Sequence, residues 1–473
     1  MAFDMDRVMV ARLVNRAVNK ARKASFEVWQ PGKKLKILMI GYNGARNTGS
    51  DVRVTGMVNQ FYHILGKENV EIGVLTLDAR LTEVYFKPPT RQIEFSSIYF
   101  TPLLKACNQY HMGVLSEGST FKSKWANSLT LFFVEGAGIM KQQNKPCITY
   151  GSGAGEMDDY LREMVAKYCD RTYFISREQP TLDLLAKIGI KGELGTDTAW
   201  IFPPGEKEWA EKELKEKAGW DGKRPVLGVA VINPFWWPVK PSLTKWLSGY
   251  GRRHPVEHYQ KWYFFASSKE RWQNFERYLS GIARAVDEFA SQHDNQVIIF
   301  GMEALDWDAI NRLQKMLKAP AAIFSSKFYD GYQMVALLRA LSLLVTSRYH
   351  ARVCSMPGGV PAVAVSMDER LYNIYQEAGQ LEDYYFTVDE PQLYEKLTAA
   401  MEKAWENRES LREKNFQMMP GYLKKMALMG KTFRNFVKSN FPEFPLPPEP
   451  ADWQGYLPPL YPELAQIVKS REG

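Results

Sequence analysis

Arg348 and His350 stand two residues apart, just after the apolar run 341–345 and just before a stretch of helical pattern at 351–355. A strand that ends in Ser347-Arg348-Tyr349-His350 and opens a helix presents both side chains at the strand's carboxyl end. The planar guanidinium fork of Arg348 suits a carboxylate or a phosphate. His350 is the side chain most readily poised to carry a proton near neutral pH. The helix N-terminus beneath them favours negative charge as well. The competing reading is a structural pair with no ligand. A second cluster, residues 41–51, follows the first strand-like run and carries Gly41, Gly44 and Gly49 among Asn43, Asn47 and Asp51. Small residues let backbone approach a ligand, and the free N–H groups of the next helix attract an anion. A tight turn closed by an N-cap explains the same spacing. A third cluster, Glu117-Gly118-Ser119, ends another strand-like run. There Glu117 is placed to take a proton from a hydroxyl, or is simply a solvated loop acid. Three such clusters, each at a strand end, describe a cleft for an anionic donor and a polyhydroxyl acceptor.

The elements that must hold these clusters read as two β/α series. After Pro31-Gly32, the run 35–40 is a first strand, and strand-like runs recur at 71–77, 112–116, 146–151 and 172–175. Helical patterns lie between them, which is the signature of a parallel sheet with crossover helices. A second series starts at 226–231 and continues at 296–300, 321–324, 343–346 and 362–365. The expected architecture is α/β, with two doubly wound, Rossmann-like domains at 34–205 and 223–400 and a boundary near 203–223. Such sheets bind ligands at the carboxyl ends of their strands. Helices from about 392 to 438 follow, and the Pro-dense tail after Pro442 is read as extended and wrapped on the surface, completing a region 401–473. No repeat of solenoid length is visible.

Composition narrows the function classes. Hydrophobic residues at 45% and charged residues at 24% describe an ordinary globular chain with large cores and no disordered bulk. The aromatic share is high; it is read mainly as core, with sugar stacking as the alternative. The four cysteines form no CxxC pair and have no His cluster beside them, which argues against a zinc site or a disulfide framework and fits a reducing, cytoplasmic compartment. No apolar run is long enough to span a membrane, and no secretory signal is recognised. Half of the net charge of +8 sits in residues 1–24, where six cations face two acids. Residues 5–23 read as an amphipathic helix docked on the body; the alternative is a peripheral anchor on the inner face of a membrane. Nothing accompanies the surplus charge that marks a nucleic-acid module.

In order along residues 35–400, the motifs resemble the polysaccharide pyruvyl transferase family. Residues 41–51 resemble its first glycine-rich loop, with Ser50 at a small-residue position. Glu117-Gly118-Ser119 falls at a glycine turn, Tyr150-Gly-Ser-Gly-Ala-Gly155 resembles a strand–loop motif, and Ile175-Ser-Arg177-Glu178 resembles a Ser-x-Arg-acid motif. Gly195-Thr-Asp197 resembles the acid that closes the N-terminal domain. Ser347-Arg348-Tyr349-His350-Ala351 with Gly358-Gly359-Val360-Pro361 resembles the most specific block. The resemblance implies a GT-B-like fold with the two domains facing across a cleft. It also implies phosphoenolpyruvate as co-substrate and a sugar or lipid-linked glycan diol as acceptor, with no cofactor and no metal. Arg348, Tyr349 and His350 then belong to the donor, and Asn43, Asn47, Asp51, Glu117 and Ser119 to the acceptor. In one place the chain departs from the pattern: the family carries an Arg after the first strand of the second domain. Here that strand leads into Ile232-Asn233-Pro234-Phe235-Trp236-Trp237, with Asn233 and Lys240 as the nearest polar candidates.

The reaction that follows adds an acceptor hydroxyl to C2 of phosphoenolpyruvate, protonates C3, expels phosphate and closes a cyclic ketal with a second hydroxyl. His350 is the expected acid/base, Arg348 the anion clamp and Glu117 a further base. Two other readings share the fold: a glycosyltransferase that uses a nucleotide sugar, and a non-catalytic glycan-binding relative.

Overall fold

The computed structural model describes residues 9–96, 98–241, 263–265 and 268–472. Its first sheet is built from β1 (Leu35–Asn43), β2 (Val70–Thr76), β3 (Arg91–Glu94), β4 (Met112–Leu115), β5 (Cys147–Ser152), β6 (Thr172–Ser176) and β7 (Gly192–Leu194). The second starts with β8 (Val226–Ala230). A two-residue antiparallel pair, β9 (Lys240–Pro241) and β10 (Tyr263–Phe264), intervenes, and the sheet resumes with β11 (Gln296–Gly301), β12 (Ala321–Ser325), β13 (Leu343–Thr346), β14 (Ala362–Val365) and β15 (Tyr385–Phe386). The orders are β3-β2-β1-β4-β5-β6-β7 and β12-β11-β8-β13-β14-β15, and every pairing in the two large sheets is parallel. β4, β8, β13 and β14 are buried at every residue, as strands covered by helices on both faces must be. The two α/β domains thus repeat one topology, that of the GT-B fold. The strands that sequence reading passed over, β3, β7 and β15, are short edge strands with half-exposed residues and no apolar run to mark them.

The C-terminal part of the chain fastens the domains to each other. The helix Arg408–Asn440, which contains Pro420, returns to the first domain. There Phe433 stacks on Phe61 at 3.9 Å between centroids, and Tyr422 stacks on Trp200 at 4.2 Å. The buried Gln60 amide donates to the carbonyls of Met426 and Tyr456 at 3.1 and 2.9 Å. The Pro-rich segment beyond lies along the same domain, held by Arg434 on the Pro447 carbonyl at 2.5 Å and Asn69 on the Pro445 carbonyl at 3.0 Å.

The helix Ala11–Ala21 buries Val14, Ala17, Val18 and Ala21 against the helices Asn127–Gln142 and Phe100–Gln109. Its apolar side is therefore covered by protein, and only its basic side, with Arg12, Arg16 and Lys20, faces outward. Residues 1–8 lie outside the described residues. Among the described residues no helix is long and apolar enough to cross a membrane.

One acid in this packing has no partner. Glu135, in the helix Asn127–Gln142, is fully buried with neither oxygen hydrogen-bonded, and burial holds its carboxyl well above the usual range. A folded-state pKa raised above the unfolded value of about 4.5 makes the folded chain bind the extra proton, so stability falls as pH rises through that window. Glu135→Gln removes the titration. Relative to the wild type its melting temperature is expected to improve as pH rises above about 4.5. A difference independent of pH would show that Glu135 ionises in place.

Candidate functional site

In both sheets the chain turns in opposite directions from the central strand, so each has a crevice at the carboxyl ends of two neighbours: β1 and β4 in the first domain, β8 and β13 in the second. Open α/β sheets take ligands at this point. The two crevices face each other. Their loops close on a cavity of about 150 Å³ lined by Asn47, Ser50, Glu117 and Ser119 from the first domain and by Glu303, Arg348, Tyr349 and His350 from the second.

The sequence candidates divide cleanly. Glu117, Ser119, Asn47, Arg348, Tyr349 and His350 all line this cavity. Asn47 does so while its side-chain oxygen caps the helix Thr48–Leu65 by accepting from the Ser50 N–H at 3.2 Å. Asn43, Asp51 and Asn233 lie behind the wall. Asn43 donates to the Leu75 carbonyl at 3.1 Å and accepts from the Ser50 hydroxyl at 3.2 Å, bracing the loop from below. Asp51 is buried beside Tyr85, and burial pushes its carboxyl up to about 8. Asn233 closes its own turn by accepting from the Phe235 N–H at 3.0 Å, while its neighbours Ile232 and Pro234 reach the cavity. The Lys240 side chain lies outside the described part of the structure. On the β8 side the wall is aromatic: Trp237 meets Trp125 of the first domain edge-to-face at 4.9 Å, and the Val239 N–H donates to the Trp125 carbonyl at 2.9 Å.

Behind the cavity sits a buried charge cluster centred on Asp197. Its Oδ2 takes Arg53 Nε at 3.1 Å and Arg177 Nη1, and lies 3.5 Å from His350 Nε2 across the domain boundary. Its Oδ1 accepts from the Ala199 N–H at 2.9 Å. Burial works to raise this carboxyl, but Arg53 and Arg177 outweigh it and hold Asp197 well below the usual carboxylate range. The arginines use their remaining donors on the site loops. Arg53 reaches the carbonyls of Ser116 at 3.1 Å and Gly151 at 2.7 Å, and Arg177 reaches that of Gly118.

Burial lowers His350 to about 4, against the pull of Asp197, so the ring is neutral at pH 7. Nε2 faces the Asp197 carboxylate at 3.5 Å without a hydrogen bond, and the negative charge there favours the tautomer with its proton on Nε2 and its lone pair on Nδ1. Nδ1 lies against Gly49, where any side chain would collide with the ring. The glycine therefore serves close approach as much as turning.

Arg348 is not a free clamp. Its Nη2 donates to Glu303 at 2.9 Å and its Nε lies 3.3 Å from Asp306. Burial pushes Asp306 up to about 7 against the effect of Arg348, with Glu303 adding to the rise. Arg370 is likewise paired with Asp368, and its guanidinium lies over the Tyr349 ring at 4.8 Å, as that of Arg177 does at 5.4 Å. Sequence reading missed Arg53, Glu303, Asp306 and Arg370. The one available signal was an arginine set between Val52 and Val54, a charge inside an apolar helical stretch. Among the described residues no group of three His, Cys, Asp or Glu side chains could hold a metal ion.

An anion that enters beside Arg348 raises the cost of two carboxylates next to it, so binding should draw a proton onto Asp306. Calorimetric titration with sulfate, in buffers of different ionisation enthalpy, is expected to show proton uptake around pH 7. Sulfate affinity should fall by up to about tenfold per pH unit above that point. Asp306→Asn should abolish both effects; uptake that survives the substitution places the proton elsewhere.

The comparisons with known proteins agree with this geometry. Among solved structures, the Anabaena protein HepE in complex with UDP-glucose is similar with a TM-score of 0.52 and 11% identity, covering 85% of this chain and 100% of that one. A UDP-N-acetylglucosamine 2-epimerase is similar with a TM-score of 0.51 and 10% identity, covering 89% and 100%. At such identity the likeness is one of fold. No curated protein matches the chain. The family model described as Polysaccharide pyruvyl transferase matches residues 58–369, which include Glu117, Arg177, Asp197 and the Arg348–His350 motif. The chain belongs to the polysaccharide pyruvyl transferase family.

Proposed function

We propose that the protein transfers the pyruvyl group of phosphoenolpyruvate to a sugar diol as a ketal, in the synthesis of a cell-surface glycan. The observation that carries the reading is the pairing, in one small cavity, of a neutral histidine with an arginine that acids hold in place. A cavity of about 150 Å³ has room for a small metabolite. In this reading Nδ1 of His350 takes the proton of the acceptor hydroxyl as its oxygen bonds to C2, and the same proton passes to C3. One base thereby serves both atoms of the double bond. The C2–phosphate bond then breaks, the second hydroxyl closes the ring, and Glu117 is placed to receive its proton. Asp197 stabilises the imidazolium that forms in between, as a buried carboxylate behind a histidine does. Arg348 exchanges part of its acid shell for the donor's carboxylate or phosphate.

A second reading, a glycosyltransferase that takes a nucleotide sugar, is favoured by two observations. Glu303 lines the donor half and would accept hydroxyl groups better than it tolerates an anion. The absence of an Arg after Val231 points the same way, and it equally fits a non-catalytic glycan-binding relative. We place the protein in the cytoplasm, a reading supported by four unpaired, buried thiols. The outward basic side of the N-terminal helix would suit an anionic membrane face.

Thermal unfolding with phosphoenolpyruvate or UDP-glucose separates the readings. Saturation at about a hundred times Kd stabilises a binding protein by roughly 2.7 kcal/mol. Phosphoenolpyruvate is expected to raise the melting temperature and UDP-glucose to leave it unchanged. The reverse would make the protein a nucleotide-sugar enzyme. Arg348→Lys keeps the charge and loses the fork, and should weaken phosphoenolpyruvate binding by roughly tenfold.

A further inference from the structure

The cavity has a second arginine in its wall. β13 and β14 are parallel neighbours, so the segments that follow them leave the sheet at the same end. The first segment carries Arg348. The second, Ser366-Met367-Asp368-Glu369-Arg370, brings Arg370 to the same cavity. The chemistry so far gives Arg370 no task.

The local turn explains how Arg370 is held but not why it is buried. Asp368 caps the helix Glu369–Glu377 by accepting from the Arg370 N–H at 3.0 Å, and the same carboxylate accepts from Arg370 Nε at 2.8 Å and from Nη2. The chain builds this turn a second time, after β2. There Asp78 accepts from the Arg80 N–H at 2.9 Å, from Nε at 3.0 Å and from Nη2 at 2.7 Å. The surroundings differ. The Arg80 side chain is 84% exposed, whereas that of Arg370 is 20% exposed and lies over the Tyr349 ring. The turn therefore forms with its arginine in water, and taking a guanidinium out of water costs free energy that the turn does not require. Asp368 holds one edge of the Arg370 guanidinium and Tyr349 one face, and Nη1 has no hydrogen-bond partner among the described residues. Arg348 is in the same state: Glu303 takes Nη2, Asp306 lies beside Nε, and Nη1 has no partner among them.

The two guanidiniums are near enough to repel, since the charge of Arg370 works against that of Arg348 and against protonation of His350. Two fixed forks of like charge in a cavity of about 150 Å³ gain most from a small ligand with two negative groups, one for each. We propose that Arg370 forms a second anion subsite, and that Arg348 and Arg370 together select a small ligand with two separate anionic groups. In the pyruvyl-transfer reading, on which this assignment rests, one fork takes the carboxylate of phosphoenolpyruvate and the other its phosphate. The two-anion site itself does not rest on that reading, because a diphosphate offers the same pair of charges.

Calorimetric titration of the full-length protein tests the site without turnover. The probes are phosphoglycolate with its halves, methyl phosphate and glycolate, and inorganic pyrophosphate with inorganic phosphate. Phosphoglycolate is expected to bind about tenfold or more tighter than the better of its halves, because its second contact forms within a molecule already bound. Arg370→Gln should cut that advantage to less than about threefold. Arg370→Gln combined with Asp368→Asn strands no carboxylate and keeps a capping side chain, and it should do the same. Arg80→Gln, which alters only the exposed copy of the turn, should bind as the wild type does. An advantage for neither two-headed anion in the wild type, or one that survives in both Arg370 variants, would overturn the proposal. An Arg370-dependent advantage for pyrophosphate alone would keep the two-anion site and remove the pyruvyl-transfer reading.

Discussion

One carboxylate oxygen organises this molecule. Oδ2 of Asp197, without solvent exposure, receives two arginines from the first domain and faces a histidine from the second. Breaking a buried ion pair by removing one partner costs about 3–5 kcal/mol, because it strands the other charge in a dry interior. Asp197 therefore has few alternatives to its observed position, and neither do the groups it holds. Arg53 and Arg177 pass that constraint to the carbonyls of Ser116, Gly118 and Gly151, which are the turns that carry Glu117 and Ser119 into the cavity. The order of these loops and the placing of His350 share one physical origin.

The same logic runs through the second domain. Each cation of the cleft meets an acid: Arg348 with Glu303 and Asp306, Arg370 with Asp368, Lys122 with Glu369. Such a cleft is close to neutral when empty, and its forks are already oriented. An arriving anion gains by exchange, not by meeting a bare positive surface. Pre-oriented charges lose little entropy on binding, but the displaced acids must be tolerated or protonated, and Asp306, buried and pushed up to about 7, is suited to the second course. Burial also keeps His350 neutral at pH 7, with the Asp197 carboxylate 3.5 Å behind its Nε2.

The fold was largely legible in the sequence because buried parallel strands announce themselves. The runs that became β1, β4, β8, β13 and β14 are continuous and apolar, and two such series in succession imply two sheets. Edge strands gave no such signal. The site was legible only to the level of its loops. Asn43, Asn47 and Asp51 share one short segment, yet only Asn47 lines the cavity, because a strand end, a helix cap and a first helical turn aim successive side chains in different directions. Residues that act through charge pairing, such as Arg53, Glu303 and Asp306, find their partners far along the chain, Asp197 for the first and Arg348 for the other two, and each pairing exists only once its own sheet has formed. The pair of Lys122 with Glu369 is of the same kind: it joins loops 247 residues apart.

If His350, held between Gly49 and Asp197, is the group that moves the proton, then single-turnover pyruvyl transfer from phosphoenolpyruvate by the His350→Gln variant is the decisive measurement. Glutamine keeps a polar side chain near Asp197 but cannot act as an acid/base. The predicted result is a ketal-forming rate lower by about 100-fold or more, with phosphoenolpyruvate affinity and melting temperature close to those of the wild type. A His350→Gln variant that forms ketal at the wild-type rate would contradict the account.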